Sequence, residues 1–341
     1  MVQRRCRAPD SWRQRLCARI RDKPGAVRRP HPQYLRRRGR DPGAGDCARP
    51  DGRSQLMGEW DAWIGRGERR VDRIDEGLAA RWAATLDREG PANGSVPQGL
   101  HWCLCLPDAP TASLGADGHP LREEGPGGFL PPVPLPRRMW AASEVEFLRP
   151  LWVGEQVERV STVAGIREKS GASGRLVFVE VVHELRGAGE LAVREVQSIV
   201  YREAAPAGTP PVPAAGEGRF DAAGWPASRT VRPSEPLLFR YSALTFNSHR
   251  IHYDVPYATQ VEGYRGLVVH GPLTATLLLD LARRELGDNG LATFSFRGLS
   301  PAICGEPLHL AMRAAGEGLE LGAFADDGRQ IMAARAAPRI G

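Results

Sequence analysis

Hydrophobic positions along the chain follow a helical period in two places and an extended pattern in many others. From Asp72 to Leu86, apolar residues recur at Ile74, Leu78, Ala79, Trp82 and Leu86, which predicts a helix. From Pro272 to Leu286, Leu273, Leu277 and Leu281 keep the same spacing. Pro272 is favoured in a first helical turn and Gly287 reads as a stop. Glu144 to Leu148 and Gln156 to Arg167 alternate. Arg175 to Leu185 and Leu191 to Tyr201 are rich in β-branched residues and flank a glycine-containing turn, so they read as a hairpin of long strands. After the second helix, the runs 293–299, 307–314, 319–325 and 330–335 read as strands. The second half is therefore one helix followed by an antiparallel sheet, an α+β arrangement. The stretch from Leu106 to Arg138 is full of Gly and Pro and reads as an irregular loop.

Composition divides the chain further. The Pro/Ala/Gly stretch 204–218 reads as a linker between a first body, 57–203, and a second, 219–341. Residues 1–56 carry 16 basic and 5 acidic residues, a net charge of +11, without hydrophobic periodicity. Such a segment lacks the apolar surface to offset its ordering entropy and is expected to be disordered. Its alternatives are a nucleic-acid-binding arm and a targeting peptide. The favoured expectation is an upstream start codon, with Met57 opening the natural product. The remainder has 30 basic and 35 acidic residues, a net of −5, which gives no electrostatic case for nucleic acid. Of the 46 basic residues only Lys23 and Lys169 are lysines, a skew typical of a GC-rich bacterial genome.

No apolar run approaches the roughly 18 residues of a membrane helix. No apolar stretch follows the first arginines as a secretory signal would require, so the cytoplasm is the expected compartment. Cys103 and Cys105 have no second close pair to complete a zinc site. They read as core-facing residues two apart on a strand, and no metal is expected.

The chemistry concentrates between Tyr241 and Gly271. In the run from Asn247 to Asp254, NSHRIHYD, two histidines lie three apart among amide and carboxylate side chains. His270-Gly271-Pro272 follows at a helix start, where backbone N–H groups lack partners and the dipole is positive. Thioester chemistry at a double bond needs both parts: a group that handles a water proton, and a donor for a carbonyl oxygen becoming enolate-like.

These residues resemble the MaoC-like hydratases and dehydratases, whose pattern runs Gly-Asp-x-Asn-Pro-Ile/Leu-His-x-Asp with a glycine-led helix some twenty residues on. Asn247 stands at the Asp position, His249 at the Asn position and Arg250 at the Pro position. Ile251, His252 and Asp254 match directly. The variant TFNSHRIHYD is similar to the type 2 hydroxyacyl-thioester dehydratases and to mesaconyl-CoA and itaconyl-CoA hydratases. The resemblance covers roughly residues 57–340. It implies a double hot dog, two fused domains in each of which a sheet wraps a helix, with a catalytically silent first domain. It also implies a hydro-lyase of fatty acid metabolism acting on a 2-enoyl thioester. The expected substrate is an acyl-CoA, in preference to acyl carrier protein, with no cofactor beyond the CoA of the substrate. A monomer or homodimer fits.

Asn247 departs from the family, because an amide cannot act as a base. The expected mechanism is therefore a one-base scheme in which His252 shuttles the proton, Asn247 positions water and the Gly271 amide holds the thioester oxygen. Arg250 and Arg265 are candidates for a second substrate carboxylate, or for solvent and CoA phosphates. His249 and Ser242, the latter read at a strand end, are candidate substrate contacts. Asp254 is a further substrate-site candidate that more simply ties down the loop, and Tyr253 and His270 read as structural. Two other functions fit the segment: a hot-dog thioesterase using Asp280, and an acyl-thioester-binding module without turnover.

Overall fold

The computed structural model describes residues 58–339, except 91–92, 123–126, 172–173, 205–208 and 215. The expectations for residues 1–56 and for a start at Met57 lie outside the described residues. The first half runs β1 (Gly67–Arg73), α1 (Glu76–Thr85), β2 (Arg137–Phe147), β3 (Gln156–Gly171), β4 (Gly174–Gly187) and β5 (Glu190–Arg202). The second half runs β6 (Ala227–Val231), α2 (Glu235–Leu244), α3 (Gly271–Leu286), β7 (Leu291–Gly298), β8 (Leu308–Ala315), β9 (Gly318–Ala325) and β10 (Gln330–Pro338).

All ten strands form one sheet in the order β1-β3-β4-β5-β2-β7-β10-β9-β8-β6. Its two halves repeat one another. The order 1-3-4-5-2 in the first matches 6-8-9-10-7 in the second, and they join antiparallel through the equivalent strands β2 and β7, Val145 opposite Phe294. In each half a helix follows the first strand. Two repeats of strand, helix and four further strands, fused edge to edge, are the expected double hot dog.

The second half is built around α3, whose Leu273, Leu277, Leu278 and Leu281 are all buried and which packs on β6 to β10. Each such leucine stabilises the fold by about 1.5–3 kcal/mol relative to exposure. The first half differs. Its α1 is 10 residues long against 16 for α3. Much of the inward face of β4 and β5 is left without a helix above it. Val181, His183 and Leu185 on β4 and Glu195, Gln197 and Ile199 on β5 line a cavity of about 1530 Å³ instead. The cavity runs from this face to the segment ahead of α3, so the first half, expected to be silent, forms one of its walls.

Three readings of the pattern change. Helix α1 begins at Glu76 because the Asp75 carboxylate caps it, accepting from the Leu78 N–H at 2.8 Å; residues 67–73 alternate in exposure and pair with β3. A second helix, α2, precedes the motif. Its buried Leu238, Tyr241 and Leu244 recur every third residue, and Ser242 sits on this helix, not at a strand end. Cys103 and Cys105 are buried, as expected, but Cys103 closes a 3-10 turn and Cys105 has a left-handed backbone at φ 54°. No helix among the described residues is long and apolar enough to cross a membrane.

Candidate active site

The motif loop leaves the C-terminus of α2 through Phe246, whose φ of 48° turns the chain. The N–H of Asn247 donates to the Ser242 carbonyl at 2.9 Å. Its side-chain oxygen accepts from the His249 N–H at 3.0 Å. The oxygen expected to orient water is thus engaged in shaping the loop. A 3-10 turn over Arg250–His252 then carries His252 inward, where it is buried.

His252 Nδ1 lies 2.7 Å from the Val268 carbonyl oxygen. A carbonyl only accepts, so Nδ1 carries the proton and Nε2 keeps its lone pair. The His252 ring stacks on His270 with centroids 3.5 Å apart and meets His249 edge-on at 5.4 Å. Burial pushes His252 down to about 3, and the neighbouring imidazoles of His249 and His119 act in the same direction. Burial does the same to His249, also to about 3, and holds His270 well below the usual imidazole range. All three are neutral at pH 7. His270 Nε2 is 2.9 Å from Ser242 Oγ. The Gly271 N–H, at the first position of α3, has no intrahelical acceptor and stands at the positive end of the helix dipole. His252, His249, Asn247, Ser242, His270 and Gly271 all line the cavity.

Arg250, Asp254 and Arg265 do not line it. Arg250 donates twice to Asp254 Oδ2, from Nε at 3.0 Å and Nη2 at 2.6 Å, and lies 4.2 Å over the Tyr257 ring. Asp254 Oδ1 caps the next turn at the Tyr257 N–H. Arg265 pairs with Glu306 and donates to the Pro213 carbonyl. These three substrate-site candidates brace the loop and its surroundings because each charge has a partner outside the cavity. Asp280 is equally removed. Its fully buried carboxylate receives Arg88, Arg229, Arg283 and Arg284 at 2.7–3.3 Å and takes no part in the cavity lining, so the thioesterase reading loses its acid.

Residues absent from the sequence reading come from the loop between α1 and β2. Arg250 fastens that loop to the motif: its N–H donates to the Asp117 carbonyl at 2.9 Å and its Nη1 to the Ala116 carbonyl at 3.0 Å. Ser248 Oγ donates to the Gly118 carbonyl at 2.5 Å. His119 is thereby laid against His249, ring centroids 4.0 Å apart, while its Nδ1 meets Asp117 Oδ2 at 2.9 Å. Burial alone would raise the Asp117 carboxyl, but the side-chain and backbone hydrogen bonds from His119 hold it below the usual range. One atom each of Asp117, His119 and His249 lie within 4.8 Å of one another. The only signal in the sequence is the turn-forming Asp-Gly-His-Pro inside a long loop.

Known proteins similar to this chain fix its family. The family model described as Hydroxyacyl-thioester dehydratase type 2 matches residues 99–304. The mesaconyl-C(4)-CoA hydratase of Chloroflexus aurantiacus is 43% identical over 279 residues, 81% of this chain and 96% of that protein. A mitochondrial hydroxyacyl-thioester dehydratase type 2 of Schizosaccharomyces pombe is 41% identical over 87 residues, 25% of this chain and 29% of that one. Among solved structures, a MaoC-like dehydratase from Phytophthora capsici superposes with a TM-score of 0.61 at 13% identity, over 81% of this chain and 97% of that one. The chain belongs to the type 2 hydroxyacyl-thioester dehydratase family of MaoC-like proteins, and it is a hydro-lyase of acyl-CoA thioesters.

Proposed function

We propose that this hydro-lyase hydrates a dicarboxylic 2-enoyl-CoA of the mesaconyl-C4-CoA type, in the cytoplasm and with no cofactor beyond the CoA of its substrate. The observation that carries the reading is the meeting of His252 and Gly271 in one cavity. Among the described residues nothing donates to the imidazole's Nε2, and the N–H at the helix start has no acceptor. His252 Nε2 receives an O–H of the attacking water, and the Gly271 N–H receives the thioester oxygen as negative charge develops on it. The volume of about 1530 Å³ accommodates an acyl group with part of its carrier.

The dicarboxylic character draws on two supports. The relative from Chloroflexus aurantiacus, 43% identical over nearly its whole length, is a mesaconyl-C(4)-CoA hydratase. In this chain Arg138, on β2 opposite Tyr201, lines the cavity and has no carboxylate within ion-pair distance among the described residues. Arg122 and Arg202 line the cavity too without a carboxylate in reach among the described residues, but Arg122 donates to the Val133, Leu135 and Pro136 carbonyls, and Arg138 is the one whose charge acts on His249. Arg138 is therefore the cation assigned to a free carboxylate.

The test is turnover of mesaconyl-C4-CoA against crotonyl-CoA, read by loss of enoyl absorbance together with assay of free thiol. A higher kcat/KM for mesaconyl-C4-CoA without thiol release is expected. Preference for crotonyl-CoA would remove the dicarboxylic substrate, and stoichiometric thiol release would replace hydration by hydrolysis.

A further inference from the structure

Asn247 leaves the site short of a proton acceptor. An amide accepts no proton at operating pH, and its oxygen is already held by the His249 N–H at 3.0 Å. His252 offers a lone pair, but a cation formed there would be buried, stacked on His270 at 3.5 Å and faced at Nδ1 only by a carbonyl. Nothing there balances an imidazolium charge.

Across His249 the balance is present. His119 lines the same cavity, partly open to it, with its ring 4.0 Å from that of His249. Its Nδ1 is 2.9 Å from Asp117 Oδ2. An ionised carboxylate only accepts, so the proton sits on Nδ1 and the Nε2 lone pair is free. Asp117 is fixed in turn, since its Oδ1 accepts the His119 N–H at 3.0 Å and its carbonyl accepts the Arg250 N–H. A carboxylate that orients an imidazole and faces the cation it forms is the arrangement of an activated base.

We infer that His119, positioned by Asp117, is the catalytic base of the hydration, so that the acid–base function lost at Asn247 is supplied by the first half of the chain. The inference rests on the hydratase reading. His119 Nε2 takes one proton of the water as its oxygen bonds to Cβ. The π pair of the C=C bond moves onto the thioester, whose oxygen meets the Gly271 N–H. As this enolate collapses, Cα draws the same proton back from the imidazolium. One water is added and His119 ends neutral. His252 Nε2 accepts the water's other O–H and holds its oxygen in place. His119 is a catalytic residue in this scheme, and Asp117 is a positioning residue.

The experiment compares wild type, His119→Ala and Asp117→Asn on whichever 2-enoyl-CoA the wild type hydrates, with melting curves as the control for folding. His119→Ala is expected to lose about 10²–10⁴-fold in kcat with little change in KM. In Asp117→Asn the Oδ1 turn bond survives, while the amide donates to Nδ1 and drives the ring proton to Nε2. This variant is expected to lose kcat in the same range and to move the midpoint of the kcat/KM pH profile, which a merely structural role would not do. Should His119→Ala fail to fold, Asp117→Asn alone carries the test. A folded His119→Ala within threefold of wild type, or an unmoved midpoint in Asp117→Asn, would overturn the assignment and leave the hydratase reading standing. Wild-type activity abolished by a chelator and restored by Zn²⁺ would make Asp117, His119 and His249 metal ligands and overturn it too. A wild type that hydrates no 2-enoyl-CoA removes the hydratase reading and this inference with it.

Discussion

Nδ1 of His252 lies 2.7 Å from the carbonyl oxygen of Val268, and that contact decides which ring nitrogen faces the cavity. The Val268 N–H in turn donates to the Ile251 carbonyl at 2.9 Å, so the two segments hold each other in register. Replacing His252 by Ala removes the water's acceptor. A loss of about 10²–10⁴-fold in kcat is expected, together with a lowered melting temperature, because the truncation leaves the Val268 carbonyl without its donor. Full turnover by a folded His252→Ala would exclude His252 from the reaction.

Burial of neutral histidines sets a direction for stability against pH. The folded His252 titrates at about 3, whereas an unfolded histidine titrates near 6.5. Above that value both states are neutral and the group costs nothing. As pH falls below it, the unfolded state takes up a proton that the folded state refuses, so stability is progressively lost down towards pH 3. By pH 5 the loss from His252 alone is about 2 kcal/mol. Urea denaturation at pH 7 and pH 5 should show it, and His252→Gln should shrink the difference by about 2 kcal/mol, leaving the share of His249 and His270. A stability independent of pH over this range would mean that the ring is far less buried.

Asp280 predicts a separation of stability from activity. Its carboxylate is surrounded by four guanidinium groups, and Arg88 is itself almost wholly buried, its own titration pushed down to about 10 by burial. Asp280→Ala strands these charges and is expected to destabilise the protein by about 3–5 kcal/mol. Because the side chain stays clear of the cavity, kcat per folded molecule should be unchanged. A specific loss of kcat in protein of normal stability would return Asp280 to the chemistry.

Gly118 tests the docking between the halves. Its φ is +86°, and a Cβ there would lie 2.9 Å from the Ser248 carbonyl carbon, a backbone atom that cannot turn aside. Gly118→Ala should therefore lift the loop carrying Asp117 and His119 off the motif. We expect more than a tenfold loss of kcat with a melting temperature lowered only modestly, since the left-handed conformation adds about 1–2 kcal/mol of strain. Wild-type kinetics in this variant would show that the loop's seating does not matter for turnover.

Arg138 predicts a split between substrates. Arg138→Gln should raise KM for mesaconyl-C4-CoA by about 30-fold or more, the effect of leaving a charged partner unpaired, and leave crotonyl-CoA nearly unaffected. An equal rise for both would place the guanidinium on the CoA portion common to them.

The period-two and period-3.6 patterns, together with the run from Asn247 to Asp254, determined much of this protein. Strands β4, β5 and β7 to β10, helix α3 and the family all follow from them, because alternation and helical spacing are local and each hydrophobic face must be covered. Helix α2 escaped because its six apolar residues run almost unbroken over ten positions, a pattern that periodicity cannot tell from a strand, and lead directly into the motif. The membership of the site could not be read locally. Ser248 and Gly118 meet across 130 residues of chain, and no spacing rule records such a contact. Nor does a sequence show where a charge spends itself. Arg250 and Arg265 stand beside the motif and turn to Asp254 and Glu306, while Asp117, His119 and Arg138 stand far from it and reach the cavity. Periodicity fixes which side of an element is apolar; the packing of one half against the other, with a short α1 leaving room beneath β4 and β5, decides which polar groups meet.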